Sequence, residues 1–125
     1  ISTDDNKTLN SYVITNYYNK NIDDVTNDLI SKKLNVYVIG DGDRVINQYP
    51  KVNRTIVEGD LVILKTNSTS ITIPSFINLS YKEANELCNM MNASCNFTGN
   101  GYIKEQSIPE GTLYDKESII ELTLE

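Results

Sequence analysis

Gly40-Asp41-Gly42-Asp43-Arg44-Val45-Ile46-Asn47-Gln48-Tyr49-Pro50 returns, altered, 59 positions later as Gly99-Asn100-Gly101-Tyr102-Ile103-Lys104-Glu105-Gln106-Ser107-Ile108-Pro109. Each copy reads as a turn, a short strand, a glutamine and a proline-bearing loop. A repeat of this period splits the 125 residues into two small units of one plan. It also lowers the expectation of catalysis, because a unit of this size has little room for a deep cleft.

Upstream of the second copy, Ser80-Tyr81-Lys82-Glu83 has the form of a capping box, in which the serine hydroxyl and the glutamate carboxylate each satisfy the other residue's backbone amide. Ala84, Leu87, Cys88 and Met91 follow at helical spacing and predict an amphipathic helix. Cys95-Asn96-Phe97-Thr98 alternates like a strand, strand 102–107 follows the turn, and Ile120, Leu122 and Leu124 mark one face of a last strand. Ile71-Thr72-Ile73 is a short leading strand that Pro74 restricts to an edge. The first copy matches. Asn21 is a helix cap, Ile22, Val25 and Leu29 form the stripe, Val36 and Val38 alternate, and Leu61–Leu64 closes the unit. The expectation is an α+β chain of two tandem small modules. Each has one helix on a three-stranded, mostly antiparallel sheet and a short extra N-terminal strand. Residues 1–11 read as a linker, 12–66 as the first module, 67–70 as a second linker and 71–125 as the second module. The open face of each sheet is left to meet solvent or the other module.

Hydrophobic residues make up 39% and charged residues 22% of the chain, which is a globular composition. A unit near 60 residues buries only about 60% of its unfolded surface, so contact between modules is expected to add stability. No apolar run approaches the roughly 18 residues of a membrane span, so no membrane contact by these residues is expected. The polar start has no signal-peptide pattern, so the chain reads as a piece of a larger protein. The net charge of −6 lies mostly in 71–125, where three basic residues face eight acidic ones; 12–70 carries seven of each. Such a surface argues against nucleic acid and against electrostatic capture by anionic membranes.

Cys88 and Cys95 are the only cysteines, and there is no histidine, so a zinc site is not expected. The first module has Leu29 and Val36 at the matching positions. That favours two unpaired, buried thiols, with a disulfide as the alternative. Paired carboxylates occur at Asp23-Asp24 and around Gly42, in a helix start and a turn, where dipole and turn geometry account for them. The six Asn-x-Ser/Thr triplets are read as a consequence of an asparagine-rich composition. No cofactor, metal or catalytic group is expected.

The ordered set Ile73-Pro74-Ser75-Phe76, Ser80-Tyr81-Lys82-Glu83-Ala84, a Gly-x-Gly turn, then Gln106-Ser107-Ile108-Pro109-Glu110-Gly111 resembles a PASTA domain, and the chain resembles a pair of them over residues 12–125. The second copy departs from the family pattern at Ser75 and by a one-residue shift of Pro109. The first departs further, with Thr15 for proline, Tyr49 for serine and Asn53 for glycine. The resemblance implies the extracytoplasmic part of a bacterial cell-surface protein, held by a membrane anchor outside these residues. Two repeats, one of them divergent, point to a class B penicillin-binding protein, a peptidoglycan transpeptidase; the sensor stalk of a Ser/Thr receptor kinase is the alternative. The pair itself is expected to be non-catalytic, since no Ser-x-x-Lys is present. Its implied partners are the catalytic domain of the parent and peptidoglycan fragments, or β-lactams. Arg44 and Arg54, able to grip a carboxylate bidentately, and Tyr49, able to stack, are the candidate contacts. A ligand-free spacer is the third reading.

Overall fold

A computed structural model describes residues 9–68 and 70–125. Most of the expected first linker, 1–8, and Thr69 of the second lie outside the described residues. The elements run β1 (Ser11–Val13), α1 (Ile22–Ser31), β2 (Asn35–Ile39), β3 (Val45–Tyr49), β4 (Thr55–Val57), β5 (Leu61–Thr66), α2 (Tyr81–Met91), β6 (Ser94–Gly99), β7 (Ile103–Gln106) and β8 (Ile119–Leu124). This is the expected α+β pair of modules, each with one helix and a three-stranded sheet.

The sheets order as β2-β5-β3 and β6-β8-β7, so the last strand of each module is its centre. That strand runs parallel to β2 or β6 and antiparallel to β3 or β7. The sheets are therefore mixed, with one parallel pair in each. The parallel pair arises because the chain returns across the module after the proline loop. β1 pairs with β4 as a separate ribbon. In the second module the equivalent is a single bridge, Thr72 to Leu113, rather than a strand.

Local chemistry sets the helix ends. The Asn21 side chain accepts from the amides of Asp23 and Asp24. Ser80 and Glu83 form the reciprocal capping box. Asn92 ends α2 in the left-handed conformation, at φ 57°.

The repeated glutamine is a structural rivet. Gln48 Oε1 accepts from the Tyr17 amide while its Nε2 donates to the carbonyls of Thr15 and Pro50. Gln106 Oε1 accepts from Phe76 N, and its Nε2 donates to Pro74 and Ile108. In both modules one amide side chain ties the entry segment to the proline loop. The partners are backbone groups, so Thr15 serves as well as Pro74. Asn53 likewise takes a φ of 73°, against 90° at Gly111, and donates to Ile14 as Gly111 does to Ile73. The departures from pattern in the first copy thus leave its backbone bonds intact.

The two cores are joined. Inside the first module Val25, Leu29, Val45, Val62 and Leu64 pack between α1 and the sheet. The other face of that sheet, Ile39, Leu61 and Ile63, belongs to the core of the second module, together with Leu87, Met90 and Met91 of α2. Helix α2 thus lies between its own sheet and that of its neighbour. The opposite face of β6-β8-β7 meets solvent. The linker side is pinned as well: the Asn67 amide donates to the Arg44 carbonyl, the Asn67 Oδ1 accepts from the Arg44 amide, and Ser68 donates to Asp41 at 2.6 Å.

The cysteines correct the sequence reading. Cys88 and Cys95 are joined by a disulfide, not present as two separate buried thiols. Leu29 and Val36 make the same helix-to-strand contact through apolar packing. The disulfide replaces that contact covalently, at the same place in the fold. No helix of the described residues is long and apolar enough to cross a membrane.

Candidate functional site

The docking of α2 on the first sheet leaves a groove of about 660 Å³ along the seam between the modules. The first module contributes Tyr49, Lys51, Arg54 and Asp60; the second contributes Lys82, Glu86 and Tyr102. Tyr49 ends β3, just before the proline loop that carries Lys51 and Arg54. Lys82 and Glu86 stand one turn apart on α2, and Tyr102 follows the second Gly-x-Gly turn.

The candidate residues are therefore split. Tyr49 and Arg54 face one groove. Arg44 lies in a separate depression of about 530 Å³ with Lys20, Asp24 and Asp28, where its Nη1 donates to the Asn19 carbonyl at 3.4 Å. Lys51, Lys82, Glu86 and Tyr102 were not anticipated. Each is an unremarkable surface residue in sequence, and only the inter-module contact brings them beside Arg54.

Tyr49 is half-buried and packs against the shared core, so part of its ring already serves the interface. Burial raises its hydroxyl pKa above the ordinary tyrosine value. The Glu86 carboxylate adds to the rise and the Arg54 guanidinium opposes it. Tyr37, in the same interface, is raised by burial and then by Glu83 and Glu110. Among the described residues the one salt bridge is Lys32 to Asp28, so Arg54 is free of ion pairs there. The Glu83 carboxylate is committed to the helix cap. What remains is an exposed guanidinium, two ammonium groups, two carboxylates (Asp60 and Glu86) and two phenol rings around an open groove. Such a set can bind a carboxylate and stack on a ring or a peptide plane. It has no nucleophile paired with a base. No cluster of three metal-ligating side chains occurs among the described residues.

The class of protein is thus a tandem α+β module pair with an open polar seam. Residues 12–68 match the PASTA domain family. The chain is similar in structure to penicillin-binding protein 2X from Streptococcus thermophilus, with a TM-score of 0.79 at 18% identity over 93% of this chain. It spans 17% of that protein's length. Two further similar structures are a three-PASTA-domain segment of a Ser/Thr kinase from Staphylococcus aureus (TM-score 0.39, 13% identity, 91% of this chain and 65% of that one) and the extracellular region of the Ser/Thr kinase PrkC from the same organism (TM-score 0.34, 16% identity, 88% and 45%). A comparison with curated proteins finds no match.

Proposed function

We propose that these residues are a non-catalytic, extracytoplasmic accessory pair of a penicillin-binding protein, in which they support wall synthesis by positioning the transpeptidase domain. One observation carries the reading. The chain matches part of penicillin-binding protein 2X over 93% of its own length, both modules included, at a TM-score of 0.79. The disulfide agrees with an oxidising, extracytoplasmic setting. Weak recognition of peptidoglycan fragments is assigned to the seam, with Arg54 as the carboxylate contact and Tyr49 and Tyr102 as the stacking faces.

Labelling the full-length parent with a fluorescent penicillin tests the first part. The expected result is acylation at a serine outside 12–125, and mislocalised or reduced cross-linking when 12–125 is deleted. A parent that takes no penicillin and transfers phosphate from ATP would move the pair to a receptor kinase. For the second part, titration with muropeptides should shift the NMR signals of Arg54 and Tyr102, and Arg54→Ala should abolish the shifts. Signals unmoved at millimolar ligand would leave only the positioning role.

A further inference from the structure

The contact between the modules is of a kind that could propagate. The helix of one unit sits on the open sheet face of the preceding unit, a head-to-tail arrangement that returns to no starting point. A third unit could add to either end if the outer surfaces repeated the inner ones. They do not.

The open sheet face comes first. In the first module Tyr37 pairs in register with Ile63, and both pack into the shared core. The matching pair in the second module is Asn96 and Glu121. Its side chains bond to each other at 3.2 Å and are exposed. Tyr49, beside Ile63, is matched by Ser107, whose hydroxyl accepts from the Glu121 amide. Ile39 pairs with Lys65, and the matching positions are Thr98 and Thr123. Only Ile119 keeps an apolar side chain on this surface, and it is 52% exposed.

The helix shows the same contrast. Both helices bury the residues that meet their own sheet, Val25 and Leu29 in α1, Ala84 and Cys88 in α2. Helix α2 buries three more, Leu87, Met90 and Met91. At the repeat spacing these positions are Asp28 and Ser31 in α1 and Lys32 at its C-cap. Lys32 and Asp28 form an exposed ion pair at 3.0 Å, and the Ser31 hydroxyl donates to the Asp28 carbonyl.

We propose that the pair is a closed two-unit stack. The surfaces used for docking between the modules are copied at both ends of the molecule, and both copies carry polar residues that block a further unit, including a second copy of this chain. The physical reason is the cost of burial. Docking α2-like residues on Glu121 and Asn96 would strip water from a carboxylate with no cation to meet it. Docking Asp28 and Lys32 on an apolar sheet would do the same to two charges. Stacked repeat proteins depend on such polar end surfaces for solubility. The proposal concerns this chain's own surfaces and is independent of which parent carries it.

Reversing each end separately tests it. One variant restores the inner-sheet residues on the outer sheet, Asn96→Tyr with Glu121→Ile. The other restores the inner-helix residues on α1, Asp28→Leu with Ser31→Met and Lys32→Met. Analytical ultracentrifugation should find the wild type and each variant alone monomeric, and an equimolar mixture should sediment at twice the mass of the chain. The proposal is overturned if the wild type assembles by itself, if either variant alone associates as strongly as the mixture, or if the mixture of folded variants stays monomeric. Should a variant fail to fold, single alanine substitutions decide. Glu121→Ala and Asp28→Ala should leave the melting temperature unchanged, whereas Ile63→Ala, in the inner contact, should lower it by several degrees. Equal drops would sink the idea.

Discussion

At the scale of single residues, the doubled glutamine explains why the two copies share a shape despite little identity. Gln48 and Gln106 each make three hydrogen bonds, all to backbone groups of two separate segments. Gln106→Ala leaves the Phe76 amide and two carbonyls without partners. A loss of about 2–3 kcal/mol is expected, read by urea denaturation. The same substitution at Gln48 should cost a similar amount, whereas Thr15→Ala, at a position used only through its carbonyl, should cost little. The interface tyrosines give a pH dependence. Burial raises the pKa of both Tyr37 and Tyr49 in the folded chain. The folded state therefore holds its phenolic protons to higher pH than the unfolded chain. Their contribution is intact below the ordinary tyrosine pKa of about 10 and is lost as pH rises through the higher folded values. Denaturation midpoints measured above about pH 10 should fall, and the double change Tyr37→Phe with Tyr49→Phe should flatten the fall.

At the scale of elements, α2 carries the most consequence. It is capped at both ends, stapled to β6 by Cys88–Cys95, and packed on two sheets. Reduction should leave the fold in place and lower its stability by about 2 kcal/mol, the loop-closure value for so short a ring. Mass spectrometry should find a gain of two hydrogens only after reduction. The sequence pointed the wrong way here, since comparison with Leu29 and Val36 favoured unpaired thiols. A cysteine pair and an aliphatic pair can fill one helix-to-strand contact, and periodicity does not distinguish them. The helix caps were legible because they are local, a side chain bonding an amide two or three residues away. The strand order was less so. β5 and β8 are central and half of the pairing is parallel, which depends on contacts between distant segments.

At the scale of the whole molecule, the sequence carries one signal for the inter-module contact. Leu61-Val62-Ile63-Leu64 is an unbroken apolar run, whereas Ile119–Leu124 alternates. An unbroken run marks a strand covered on both faces, and alternation marks one covered on a single face. β5 is indeed covered by α1 on one side and α2 on the other; β8 is covered on one side only. Because the second core includes Ile39, Leu61 and Ile63, the chain should unfold in one cooperative transition. Ile63→Asp places a charge in the shared core and should split the calorimetric profile into two lower transitions.

The sequence alone determined the module plan, the helix caps, the turns and the family resemblance, because those rest on periodicity and on contacts a few residues long. Tertiary structure decided the rest. It joined Tyr49 and Arg54 to Lys82, Glu86 and Tyr102, set Arg44 apart and closed the disulfide. The reason is physical. A module's sheet can hide its second face only against another body, and which residues line the resulting seam is fixed by how the two bodies meet.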